Sequence, residues 1–113
     1  MNSTRDFSSN QEKEIAKVLG GNITPNSGGT KFSGGDVKIR NDFLIEAKTP
    51  TTAKESFSIK KDWIAKVRQQ AFEQGCLEAV LAFTFAPNGQ NYYVISESLM
   101  KELVDYFEEL GGF

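Results

Sequence analysis

The chain is 113 residues long, enough for one compact domain and too short for two. Its 39% hydrophobic and 12% aromatic content is that of a globular chain, and its longest apolar runs, such as Ala79 to Phe83, fall far short of a membrane span. A formal charge of −2 excludes a uniformly basic nucleic-acid binder, and the absence of histidine leaves carboxylates, lysines and bound cations for any catalysis.

Ser9, with Glu12 three residues on, has the spacing of a capping box, and Ile15, Ala16, Val18 and Leu19 follow at helical spacing until Gly20 and Gly21. This predicts a first helix from Ser9, behind a flexible stretch over residues 1–8. At 100° per residue Glu12 falls in the apolar sector with Ile15 and Leu19, whereas Glu14 points outward with Lys13 and Lys17. Residues 22–35, rich in Gly, Ser, Thr and Asn, read as a long loop with a short strand near Ile23 or at Lys31-Phe32. Residues 36–40 alternate, Asn41 and Asp42 supply a turn, and Phe43 to Lys48 form the second arm of a hairpin.

Pairing the apolar sets Val37, Ile39 and Phe43, Ile45, Ala47 on one face predicts Arg40 opposite Leu44, Lys38 opposite Glu46 and Asp36 opposite Lys48. The loop or bulge then lies at residues 41–43. Asp36, Glu46 and Lys48 gather on the other face at the open end of the hairpin. After Pro50, Phe57 and Ile59 suggest a short extended piece, followed by a helix over Lys61 to Gln74 that Gly75 ends. Its inner face is Trp63, Ile64, Val67 and Ala71, with Gln70 at the edge. Residues 78–85 read as a buried strand parallel to 43–48, the helix serving as crossover. A turn at Pro87 to Gln90 leads into an antiparallel strand, Tyr92 to Ile95. Ser96 then caps a last helix whose stripe of Leu99, Leu103, Phe107 and Leu110 is expected to pack into the core. The order α-β-β-β-α-β-β-α makes a single α/β domain, a mixed β-sheet flanked by helices.

Charge is unevenly placed. Residues 31–68 hold nine of the 13 Lys and Arg against five acids, a balance of +4, whereas residues 97–113 hold Lys101 against five acids, a balance of −4. The first region has the chemistry to meet phosphates. Two adjacent carboxylates are costly to ionise together without a cation between them, and oxygen ligands suit Mg²⁺ or Mn²⁺. Such a metal polarises a phosphate and acidifies water, and Lys48 is placed to hold that water or balance the developing charge. An acid-x-Lys triplet alone arises by chance about once per hundred residues, so its weight comes from context. Here both acids are on strands, glycines precede Asp36, and the run Phe43-Leu44-Ile45 leads into Glu46.

With Gly35-Asp36 followed by Glu46-Ala47-Lys48, the chain resembles a minimal PD-(D/E)xK nuclease, a family with a restriction-endonuclease-like core. Residues 12–21, 33–37, 43–49 and 57–75 are similar to archaeal-type and phage-type Holliday-junction resolvases. The resemblance implies a homodimeric DNA endonuclease that uses Mg²⁺ or Mn²⁺ to cut four-way junctions, leaving a 5′-phosphate and a 3′-hydroxyl. By position it implies Glu12, Asp36, Glu46 and Lys48 as catalytic residues, with Asp36, Glu46, Glu12 and the Ala47 carbonyl as metal ligands. The family's loop serine corresponds to Ser33 or Ser27. DNA contacts fall to Ser33, Lys31, Lys38, Lys54, Lys60, Lys61, Arg68 and Gln70. The expected setting is the cytoplasm of a bacterial or virus-infected cell, since the N-terminus lacks a signal-peptide pattern and the lone Cys76 forms no internal disulfide. The family's proline before Asp36 is replaced by glycine. Two other readings stay open: a nuclease acting on flaps, ends or duplex, and a non-catalytic nucleic-acid- or protein-binding domain whose acids only pair with lysines.

Overall fold

The computed structural model describes residues 4–24 and 36–111. Its elements are α1 (Thr4–Leu19), β1 (Asn22–Ile23), β2 (Asp36–Ile39), β3 (Phe43–Lys48), α2 (Lys61–Glu73), β4 (Glu78–Phe83), β5 (Tyr92–Val94) and α3 (Glu97–Glu109). The five strands form one mixed sheet in sequential order. β3 and β4 are parallel, which requires the α2 crossover between them, and every other neighbouring pair is antiparallel.

Alternation along the strands sorts the core into two faces. On one, Ile15 of α1 packs with Val37, Ile39, Ile45, Ala47, Val80, Ala82 and Leu99. On the other, Val67 and Ala71 of α2 pack with Leu44, Cys76 and Ala79. Central β3 is covered on both faces, so Leu44 through Ala47 are buried without a break. The α1 chain exit is tight. Gly20 adopts φ +76°, and a Cβ on Gly21 would come within 2.8 Å of Val37 Cγ1, so α1 approaches β2 only with glycine there.

Four expectations are corrected. The first helix starts at Thr4, so Ser9 lies inside it and is not its cap, and the stretch over residues 4–8 is helical. Val18 and Leu19 are exposed, leaving Ile15 as the buried anchor of α1. The hairpin register differs by two residues: Asp36 faces Glu46, Lys38 faces Leu44 and Ile39 faces Phe43. The cause is the turn. Arg40 takes φ +50° and its guanidinium meets Asp42 at 2.7 Å, so β2 stops at Ile39 and the loop is residues 40–42. A two-residue shift keeps every side chain on its predicted face.

The last correction concerns α3. Ser96 does cap it, accepting a hydrogen bond from the Leu99 amide at 3.1 Å, but only Leu99 is buried and residues 100–110 are all exposed. β5 is a three-residue edge strand, and only the first turn of the helix that follows reaches the core. Residues 53–60, including Phe57 and Ile59, form no strand. No helix among the described residues is long and apolar enough to cross a membrane.

Candidate active site

The antiparallel pairing of β2 with β3 brings the Asp36 and Glu46 side chains side by side on the α2 face of the sheet. The apolar alternation of both strands forces this, because Val37 and Ile45 occupy the opposite face. Glu46 is only 3% exposed, and its Oε2 has no hydrogen-bond partner among the described residues. Burial raises the Asp36 pKa to about 7, helped by the charges of Glu46 and Glu12 and opposed by Lys66 and Lys48. Glu46 is also raised by burial, against the pull of Lys48 and Lys66. The pair therefore retains a proton near neutral pH, poised to lose it to any cation that enters.

Lys48 follows Glu46 by two residues on the same face. Its ammonium lies 4.7 Å from the centre of the Trp63 ring, where Lys60 also approaches at 5.6 Å. Trp63 is braced by Phe57, which stacks on Phe83 at 5.2 Å. The strand end carrying Lys48 is fastened as well. Thr84 donates to the Ala86 carbonyl at 2.8 Å, so in its 2.6 Å contact with Thr49 the donor is Thr49. Gln11 Nε2 donates to the Lys48 carbonyl at 2.9 Å. The exits of β3 and β4 are thus tied together and to α1.

The expected site residues divide into groups. Asp36, Glu46 and Lys48 share one face, and Gln70 lies on the side of α2 that carries Trp63 and Lys66, its buried Oε1 also without a partner among the described residues. Glu12 is buried at 7% exposure, as its inward direction predicts, and its charge acts on Asp36. Ala47 is buried with its side chain on the α1 face. Lys38 reaches the C-terminal end of α2, donating to the Gln74 carbonyl at 3.5 Å. Lys54, Lys60, Lys61 and Arg68 are exposed. Arg68 lies about 200° around α2 from Lys66, and borders a different cleft beside Phe72 and Leu77. Lys31, Ser33 and Ser27 lie outside the described residues.

Two roles were missed. Lys66, read with Lys60, Lys61 and Arg68 as a phosphate contact, also modulates both acids, and Trp63, expected in the core, seats Lys48. The spacing Trp63, Lys66, Gln70 places all three on one side of α2, a signal that was available from helical periodicity.

No group of three or more His, Cys, Asp and Glu side chains placed to hold a metal ion occurs among the described residues. Of the expected ligands, Asp36 and Glu46 stand side by side across the strand pair, and Glu12 acts on Asp36 through its charge. That pair still fits Mg²⁺ or Mn²⁺, because Mg²⁺ characteristically keeps several waters and takes one or two carboxylates plus substrate phosphates. The unpartnered Glu46 Oε2 is an acceptor that a bound cation would satisfy. No protein-family model matches the chain, and no curated protein or solved structure matches it either.

Proposed function

We propose that the chain is a metal-dependent DNA endonuclease of the restriction-endonuclease-like type, acting as a Holliday-junction resolvase. One observation carries this reading: Asp36 faces Glu46 directly in a buried strand pair, with Lys48 two residues on and the Asp36 pKa raised to about 7. Two carboxylates crowded in this way are costly to a fold unless they have a use, and binding a divalent cation is the use their chemistry fits.

Asp36 and Glu46 would hold the cation, with Asp36 giving up its proton for it. When bound, the cation supplies Lewis-acid polarisation of the phosphate and acidification of water. Lys48, confined by Trp63, directs its ammonium at the phosphate oxygens and stabilises the charge that builds there. Gln70 orients water through its uncommitted carbonyl oxygen. Glu12 raises the negative potential at Asp36 and strengthens its hold on the cation. Lys66, Lys60 and Lys38 attract the DNA backbone.

A homodimer supplies the two sites that paired cuts in a junction need. The exposed stripe of α3 supports it. Met100, Leu103, Val104, Tyr106, Phe107 and Leu110 are 40–56% exposed, leaving on the order of 600 Å² of largely apolar surface against the ~800 Å² per partner of a standard interface.

The test is incubation of the protein with labelled four-way junction, linear duplex and flap DNA in Mg²⁺ or Mn²⁺. Paired cuts in the junction, abolished by Glu46→Ala, are expected. Cutting of duplex or flap alone would keep the chemistry and replace the substrate. No cutting of any DNA would favour a binding domain.

A further inference from the structure

Beside the exit of β3 lies a cleft of about 720 Å³ whose walls come from α1 and the β4–β5 connection. Its size suits a small organic molecule better than an ion. Side-chain amides dominate it: Asn10, Gln11, Asn88, Gln90 and Asn91, with Tyr93 at one side. It has no Lys or Arg, and its one charged member is Glu14, so it offers no cation to a phosphate.

Gln11 is 4% exposed and spends both amide protons, donating at 2.9 Å to the Lys48 carbonyl and at 2.9 Å to Asn91 Oδ1. Its orientation is therefore fixed by a carbonyl that can only accept. Gln11 Oε1 is buried and has no partner among the described residues, an expensive arrangement for a polar atom. Because Asn91 accepts through Oδ1, its Nδ2 is left to donate. Asn10 Nδ2 donates to Asn88 Oδ1 at 3.0 Å, which leaves Asn10 an acceptor and Asn88 a donor. The cleft thus presents acceptors and donors beside an aromatic ring, with Gln11 and Asn91 held in place by their mutual bond and by the Lys48 carbonyl. Carboxamides in this arrangement match the edge of a heterocyclic base, and Tyr93 offers it a face to stack on.

The geometry points to a subsite for one unpaired nucleobase of the DNA strand, held by Gln11, Asn88 and Asn91 at the exit of the strand that carries Glu46 and Lys48. The DNA origin of the base rests on the endonuclease reading. Stacking on Tyr93 needs the face of the base, which its neighbours cover in a duplex, so the occupant is unstacked and unpaired, as at a junction, a flap or a distorted step. Occupancy bears directly on the active site, since Gln11 links the cleft to the Lys48 carbonyl.

Two measurements test it. The isotope-labelled full chain is titrated with the four deoxynucleosides, which lack phosphate, and its amide resonances are followed by NMR, with glucose as a hydroxyl-rich control. Saturable shifts confined to Gln11, Asn88, Asn91 and Tyr93, lost in Asn91→Leu, are expected. Shifts elsewhere, none at all, or equal shifts with glucose would overturn the subsite. Abasic positions are then scanned through a junction strand in Ca²⁺, with affinity as the readout. Loss of one particular base should weaken binding about tenfold in the native protein and hardly at all in Asn91→Leu. A flat scan would overturn the assignment to DNA. Nucleoside binding without metal-dependent DNA cleavage would remove the endonuclease reading and leave the base-binding cleft standing.

Discussion

Asp36 holds its proton to about pH 7 because burial and two neighbouring acids oppose its charge, and stability depends on pH accordingly. Its folded pKa lies above the unfolded value of 3.8, so between about pH 4 and pH 7 the folded state binds more protons and stability falls as pH rises. Below that window the effect vanishes, and above it the cost is complete. Removing the charge should therefore stabilise the metal-free protein: Asp36→Asn is expected to raise urea-unfolding stability at pH 8 by about 2 kcal/mol after discounting for solvent screening at a half-buried carboxyl, and to change little at pH 4. Stability lost at pH 8 instead would mean that Asp36 is a structural ion-pair partner. Trp63 makes a second prediction. Trp63→Leu should lower the cleavage rate about fivefold by freeing Lys48, with Mn²⁺ affinity unchanged and Trp63→Phe restoring most of the rate. Asp36, Glu46 and Lys48 could be brought to one face from the sequence because strand alternation depends only on parity. The Lys48–Trp63 contact could not, since it requires knowing where α2 crosses the sheet.

At the scale of elements, the hairpin and α3 show how far pattern reading reaches. Element order and type were legible throughout the described chain, from helical periodicity, the glycine stops and the Ser96 cap. The hairpin register was not, because the turn depends on Arg40 entering a left-handed conformation and meeting Asp42, a choice the apolar pattern does not encode. Periodicity predicted α3 as a helix but misplaced it. An amphipathic stripe declares that a face will be covered without naming what covers it. If a second copy covers it, Leu103→Glu combined with Leu110→Glu should convert the dimer to monomer in sedimentation equilibrium. The unfolding free energy of the monomer should change by under about 1 kcal/mol, since both side chains are exposed in the single chain. Global unfolding of that variant would show that α3 packs within its own chain.

For the whole molecule, a −2 chain meets DNA only if its charge is arranged, and the arrangement is visible in the fold. Lys48 and Lys66 act on the acidic pair, Lys60 joins Lys48 at Trp63, and Lys38 stands at the C-terminal end of α2, while the acids of α3 lie elsewhere, with Glu102 acting on Glu78 at the start of β4. On the proposed reading, a divalent cation held by the two carboxylates would be completed by phosphate, and metal affinity would then be coupled to substrate. The amide cleft at the exit of β3 adds a way to recognise unpaired bases beside it.

Joint binding of a divalent cation by Asp36 and Glu46 is tested most directly by Mn²⁺ titration of the full chain, followed by electron paramagnetic resonance. One Mn²⁺ per chain is expected, with affinity falling about tenfold per pH unit below pH 7 as the cation competes with the Asp36 proton, and with binding abolished by Glu46→Ala. Absence of Mn²⁺ binding at pH 8, or binding that survives Glu46→Ala unchanged, would contradict it.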